Sequence, residues 1–282
     1  MKQCLAMIAV GALVICGILM ACSKSGTSDD LRTVRVAGIV LKWVPGDRVE
    51  NFARIEPLIR EAAEKGADVV CTAESFLDGY SVRDAAMTPE QFHLLAEPIP
   101  DGDGFVRLRF LADELDIYIV AAVTERDADR IYNSAALIGP DGSHIGTYRK
   151  KFLWPTETDL YSAGDSFPTF DTEFGKVGMM ICSDHREPEA IKELVANGAV
   201  IIFCPAGGGF GKENDQMVAE RSKEGKVPIV FVHPAEFLVT GASGEVLKRS
   251  LFGETLDYSP DDSVSGFVEL YDLKLPRSPR NK

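Results

Sequence analysis

Apolar residues in this chain occur in two patterns, short continuous runs and steps of three and four. Residues 33–40 (TVRVAGIV) are apolar and β-branched, which predicts a strand. Over residues 49–65, Phe52, Ile55, Leu58, Ile59, Ala62 and Ala63 fall on one face of a helix, and Gly66 closes it. Residues 67–71 return as a strand, completing a βαβ unit, and this strand is expected to run on through Thr72 and Ala73 to Glu74. Residues 85–99 are polar and irregular, with room for a short helix. Residues 104–115 predict a second amphipathic helix (Phe105, Leu108, Leu111, Ala112, Leu115), and 117–123 a buried strand. Residues 130–138 and 144–148 predict a hairpin around Asp141-Gly142.

The same alternation continues to the C-terminal end. Residues 167–171 and 176–181 pair as strands, a helix spans 187–196 before Asn197-Gly198, and 199–204 is a strand. A helix over 217–226, a strand over 227–232, a turn at Ser243-Gly244 and a strand over 265–271 complete the pattern, with residues 234–239 left as a connecting loop. This is an α/β chain with no internal linker, hence one domain over 33–272 and a tail over 273–282.

The N-terminal end is different in kind. After Lys2, residues 4–21 are almost wholly apolar, and Leu19-Met20-Ala21-Cys22 has the form of a lipoprotein cleavage site. Residues 1–21 are therefore expected to be a signal peptide, Cys22 the lipidated residue, and 22–32 a polar tether. The domain would then sit outside the cytoplasm, held to a membrane by its lipid. Three cysteines remain, Cys71, Cys182 and Cys204, too few and too widely spaced for a disulfide framework. The formal net charge of −13 argues against a nucleic-acid partner. Four histidines, none in an HxH or HExxH arrangement, argue against a histidine-built metal site.

Candidate chemistry lies where strands end. Residues 177–181 end at Cys182, and Ser183-Asp184-His185-Arg186-Glu187-Pro188 then starts a helix. A thiol at such an elbow lies beside unpaired backbone N–H groups, which favour a thiolate and can hold an oxyanion, although a free cysteine is more often a small buried hydrophobe. Glu74 ends an earlier strand, where active sites of open α/β sheets lie. Lys150 and Lys151 follow the hairpin, and strand alternation lets only one of them face a shared site.

Taken in order, these blocks resemble the carbon–nitrogen hydrolase family, the nitrilase superfamily. Residues 68–76 around Glu74 are similar to its general-base block. Tyr132-Asn133-Ser134-Ala135 with Gly146-Thr147-Tyr148-Arg149-Lys150-Lys151 is similar to its lysine block, and residues 178–188 to its nucleophile block, G-x-x-I-C-x-D-x-R-x-P. Glu157 stands where the family carries a second glutamate, and Arg221 and Glu224 fit a later helix motif. Departures are Phe152, Glu187 and Gly225 at positions the family usually fills otherwise, and a short 234–239 segment that is expected to leave the pocket open.

The resemblance implies a four-layer αββα sandwich, a possible homodimer, and a hydrolase that needs no cofactor. Cys182 would be the nucleophile, Glu74 the general base, and Lys150 with the Ser183 N–H the oxyanion donors, with Glu157 orienting the lysine. Ser183-Asp184 after the thiol is similar to the amidase branch, so the expected substrate is a small carboxamide or N-carbamoyl compound and not a nitrile. A solute-binding lipoprotein and an acyltransferase with an amine acceptor remain open alternatives.

Overall fold

Strands that are apolar at nearly every position need cover on both faces, and two stacked sheets with outer helices supply it. The computed structural model describes residues 31–84, 86–252 and 266–277. The first half of the chain runs β1 (Leu31–Val40), α1 (Arg48–Glu64), β2 (Val69–Cys71), α2 (Pro89–Leu95), α3 (Asp103–Leu115), β3 (Tyr118–Asp127), β4 (Arg130–Ile138) and β5 (His144–Arg149). The second half runs β6 (Thr169–Thr172), β7 (Gly175–Met179), α4 (Pro188–Ala196), β8 (Ile201–Pro205), α5 (Lys212–Gly225), β9 (Ile229–His233), β10 (Glu236–Thr240), β11 (Val246–Leu251) and β12 (Phe267–Pro276).

One sheet has the order β12-β1-β2-β3-β4-β5 and the other β11-β10-β9-β8-β7-β6. Pairing is parallel at β1–β2–β3 and β7–β8–β9 and antiparallel elsewhere, so both sheets are mixed. Side-chain alternation divides each strand of the first sheet between two cores. Val36, Val69, Cys71, Val120 and Leu137 face the second sheet, where Phe203, Phe231 and Phe237 meet them. Ala37, Val70, Ile119 and Ile138 face α1 and α3, packing on Ile55, Ile59, Leu108 and Leu111. The four-layer αββα sandwich expected from the resemblance is the architecture observed.

Several boundaries differ from those the hydrophobic pattern predicts. β2 stops at Cys71, so Glu74 lies beyond the strand, its N–H donating 3.3 Å to the carbonyl of Ala206, the residue just past β8. α5 begins at Lys212 and not at Met217, because its first turn is wholly polar and carries no periodic signal. Residues 236–240 are not loop: they form β10, paired antiparallel to β9 through a tight turn in which Ala235 N–H donates 3.0 Å to His233 Nδ1. β12 runs to Pro276 and pairs with β1 along its whole length, Leu31 opposite Pro276, so residues 273–276 belong to the sheet and not to a tail. Among the described residues no helix is long and apolar enough to cross a membrane. The expected signal peptide and Cys22 lie outside the described residues.

The sheets approach closely where a side chain is missing. A Cβ on Gly38 of β1 would lie 2.2 Å from a ring carbon of Phe237 on β10. Gly38→Ala is expected to force that ring aside and to cost about 1–3 kcal/mol. Urea denaturation checks this, and a variant as stable as the parent would contradict the account of how the sheets pack.

Candidate active site

Three segments that end at the same edge of the sandwich bring the charged residues together. After β2 the chain turns through Ser75 (φ 47°) and Tyr80 (φ 51°), a left-handed path that buries Glu74 instead of carrying it to solvent. After β5, Lys150 N–H donates 2.8 Å to the Asn133 carbonyl, which turns its side chain inward. Glu157 sits in a short turn in which the Trp154 N–H donates 2.7 Å to its Oε2.

Glu74, Lys150 and Glu157 are all fully buried. Lys150 Nζ lies 2.8 Å from Glu74 Oε1 and 2.8 Å from Glu157 Oε2. Asn133 Nδ2 donates to Glu74 Oε1 at 2.8 Å and to Glu157 Oε1 at 3.1 Å, and Tyr80 Oη donates to the latter at 3.1 Å. Burial works against the charge on Lys150, but its acidic neighbours, Glu74 foremost, outweigh it and hold its pKa above the ordinary value, so it stays a cation. Burial pushes the Glu74 pKa up, with Lys150 opposing. Glu74 Oε2 is buried and has no hydrogen-bond partner.

Cys182 ends the extension of β7 in the left-handed region (φ 42°) and opens a short 3₁₀ turn, Cys182–Arg186, before α4. Strain of this kind in a residue other than glycine persists only where its surroundings fix it. Asp184 supplies much of that fixing: its Oδ2 accepts from Tyr148 Oη at 2.6 Å and Ile181 N–H at 2.8 Å, and its Oδ1 from Phe152 N–H at 2.9 Å. From below, Arg221 donates to the carbonyls of His185 (2.9 Å) and Arg186 (3.2 Å) and pairs with Glu224 at 2.7 Å. The Ser183 hydroxyl is spent on the Phe152 carbonyl at 2.6 Å.

The thiol is not lowered in pKa, contrary to the elbow expectation. Burial, and then Glu74, push it up to about 11, against Lys150 and a backbone N–H bond from Gly207. Local N–H groups are outweighed by desolvation and a nearby carboxylate. Cys182 is therefore a neutral thiol at rest, beside a carboxylate with one oxygen unused.

Of the residues expected from the sequence, Glu74, Lys150 and Glu157 are in direct contact, Cys182 lies close enough to Glu74 and Lys150 for their charges to act on it, and Ser183 contacts the Phe152 carbonyl. The contacts of Asn133 and Tyr80 with this cluster are not among those expectations. Strand register points to Asn133: Ser134 pairs with Arg149, so the next pair outward is Asn133 and Lys150. Arg186 makes no ion pair with Glu187 or Glu189; its guanidinium lies 5.4 Å from the centre of the Trp154 ring.

With this geometry in view, a family model for carbon–nitrogen hydrolases matches residues 34–268. The chain is 30% identical over 256 residues to an omega-amidase NIT2 of Bos taurus, covering 82% of this chain and 90% of that protein. It is 40% identical over 158 residues to a nitrilase of Pyrococcus abyssi, a match that spans 56% of this chain and only 58% of the relative. An amidase from Nesterenkonia sp. shares its fold, with a TM-score of 0.71, 20% identity, and coverage of 85% of this chain and 90% of the other. The chain belongs to the carbon–nitrogen hydrolase family.

The two adjacent lysines provide a test. Lys151 points away and pairs with Glu189 (2.8 Å) and Glu193 (3.4 Å) on α4. Lys150→Ala is expected to lower kcat/KM by about 10²-fold or more and to cost about 3–5 kcal/mol of stability, since it strands two buried carboxylates. Lys151→Ala is expected to change either by little, its pairs being largely solvated. Amide turnover and urea denaturation of both variants check this; the reverse ranking would refute the placement.

Proposed function

We propose that this chain hydrolyses a small carboxamide or N-carbamoyl compound through a thioester on Cys182. The observation that carries this reading is Glu74. Its Oε1 is committed to Lys150 and Asn133, while its Oε2 is buried, unpartnered, and beside the loop that covers the thiol. A methyl group on Gly207 of that loop would lie 3.0 Å from Oε2, and one on Gly208 would lie 3.2 Å from Cys182 Sγ.

In the proposed reaction Glu74 takes the thiol proton as sulfur attacks the carbonyl carbon. The carbonyl π pair moves to oxygen, and the Lys150 ammonium and Ser183 N–H hold the resulting oxyanion. Glu74 then protonates the departing nitrogen and the C–N bond breaks. Water attacks the thioester and gives its proton to Glu74, which returns it to sulfur as the acid leaves. An amide and a water become a carboxylic acid and ammonia, and Glu157 keeps the ammonium aimed throughout. Ser183-Asp184 after the thiol supports an amide over a nitrile.

We further propose that the domain is an extracytoplasmic lipoprotein anchored through Cys22. Support comes from the apolar run over residues 4–21 and its Leu19-Met20-Ala21-Cys22 ending.

Cys182→Ala is expected to fold normally, because it removes one small atom, and to lower turnover roughly 10⁴-fold or more. In the active protein, intact-mass spectrometry after incubation with amides, ureido acids and nitriles should detect an acyl adduct that maps to Cys182, and ammonia should be released from the amides faster than from the nitriles. Comparable activity in the alanine variant, or faster nitrile hydrolysis, would overturn the reading, and consumption of an added amine acceptor in place of water would make the chain an acyltransferase. For the anchor, Cys22→Ser should abolish partitioning into the detergent phase. Retention of the variant there, with an uncleaved N-terminus, would show a spanning segment instead.

A further inference from the structure

Residues 206–211 join β8 to α5 and pass beside the base and the thiol. A Cβ on Gly207 would lie 3.0 Å from Glu74 Oε2, and one on Gly208 3.2 Å from Cys182 Sγ, so glycine lets the backbone come this close. The Gly207 N–H bonds the thiol and favours its ionised form. Three consecutive glycines, 207–209, have little conformational preference of their own. What fixes that donor on sulfur must therefore come from outside the loop.

The support is the β9–β10 hairpin. The Val232 carbonyl of β9 accepts the Ala206 N–H at 2.8 Å, so the loop leaves the sheet beside the end of β9. His233 and Glu236 pair across the hairpin and present their side chains to one face. His233 is fully buried, its ring 4.8 Å from that of Phe210 and 16° from parallel to it. Glu236, also fully buried, accepts the Gly211 N–H on Oε2 at 2.9 Å. Arg249 fixes Glu236 at 3.1 Å and Asp215 at 2.7 Å, and the Asp215 N–H returns to the Gly211 carbonyl at 2.9 Å. The far end of the loop is thus tied at Phe210 and Gly211.

His233 acts on the middle. Its Nδ1 accepts the Ala235 N–H at 3.0 Å, and burial pushes its pKa down to about 3 against the backbone of Gly208 and Gly207. The ring is therefore neutral, with its proton on Nε2. Nε2 is buried and makes no full hydrogen bond, so the glycine backbone that favours its proton is its compensation. Moving residues 207–208 away from the ring would strand that N–H altogether.

We propose that His233 is a positioning residue for the reaction: its Nε2–H and its stack on Phe210, with the Glu236 anchor, hold the glycine loop so that the Gly207 N–H stays on Cys182 Sγ. The proposal rests on the thioester reading and adds to it the group that steadies the sulfur. As Glu74 takes the thiol proton, negative charge builds on sulfur until the C–S bond is complete, and a fixed N–H stabilises it there. His233 itself moves no proton.

Asparagine and glutamine divide the two ring nitrogens between them. His233→Asn keeps an acceptor where Nδ1 meets the Ala235 N–H, whereas His233→Gln keeps a donor near Nε2 and loses the turn contact. Both lose the stack. In the full chain purified in detergent, alkylation of Cys182 by iodoacetamide, mapped by mass spectrometry over a pH series, reads the thiol without requiring turnover. Ammonia release from propionamide and ureidoacetate gives kcat and KM. The Gly207 bond lowers the thiol pKa, so its loss moves the alkylation profile to higher pH and slows the reaction at neutral pH. His233→Asn should slow alkylation and kcat each by roughly tenfold, the worth of one hydrogen bond to a charged group, with KM little changed. His233→Gln should recover most of both. Equal loss in the two variants, parent-like values in both, or Asn above Gln would each overturn the proposal, the last by showing that the ring serves only the hairpin turn. Should urea denaturation show that either variant is unfolded, Phe210→Ala, at a half-buried position, decides: alkylation slower by about threefold supports the assignment, and an unchanged rate overturns it. If the parent turns over neither compound and forms no adduct with them, the thioester reading fails, while the alkylation order still decides whether His233 sets the thiol.

Discussion

A single ammonium between two buried carboxylates organises this molecule. Lys150 lies 2.8 Å from both Glu74 and Glu157, with none of the three in contact with water. Burying any one of them alone would cost several kcal/mol, so each is tolerable only because the others are in place. The three come from the turn after β2, the end of β5 and the turn beyond it, so the cluster fixes three segments together. Asn133 and Tyr80 donate to oxygens that the ammonium also bonds, Glu74 Oε1 and Glu157 Oε1, and so hold both carboxyl groups in place around it. Of the four carboxylate oxygens Glu74 Oε2 alone has no hydrogen-bond partner, and it lies against Gly207 as the thiol lies against the next residue, Gly208.

Fixing the elbow is a separate structural task, handled by neutral and ionic contacts of a different kind. Cys182 holds a left-handed φ because Asp184 ties the turn to Tyr148 and Phe152, and Arg221 ties its far end to α5. Asp184 is itself buried, and burial pushes its carboxyl up to about 6 despite Lys150 and three hydrogen bonds. The Asp184 contacts to Tyr148 and Phe152 flank Lys150 in the chain. Cys182 and Lys150 are therefore positioned against one another through a single side chain, and displacement of either is felt by the other.

Much of this was readable from residue order, and what was not has physical reasons. Alternation along β1, β2 and β3 is invisible in an apolar run, yet the run itself reports cover on both faces, which two sheets and outer helices provide. Lys150 could be separated from Lys151 because neighbours on an extended chain point opposite ways. Glu74 was read at a strand end, whereas β2 stops three residues earlier and a left-handed turn carries the carboxylate inward; one polar residue gives no sign of that path. β10 was missed because its turn, Pro234-Ala235, contains no glycine or asparagine and is held by the His233 ring. The first turn of α5 escaped because Lys212 to Asp215 is polar throughout, although Asn214 and Asp215 are buried by contacts distant in sequence. The raised pKa of the thiol is likewise a property of the assembled site, since desolvation and Glu74 are supplied by segments far from the elbow.

That raised pKa bears on how such a site works. Ionising the thiol on its own would add a negative charge to a dry volume that already holds two carboxyl groups, which burial and Glu74 both oppose. In the proposed reaction the proton would move from sulfur to Glu74 while the charge passed to a substrate carbonyl oxygen, so no further charge would be added to the site. That charge would stay within reach of Lys150, and the low dielectric that penalises a free thiolate would strengthen the ammonium's hold on the transition state. Protein groups already oriented by Glu157 and Asn133 need not reorganise as this happens.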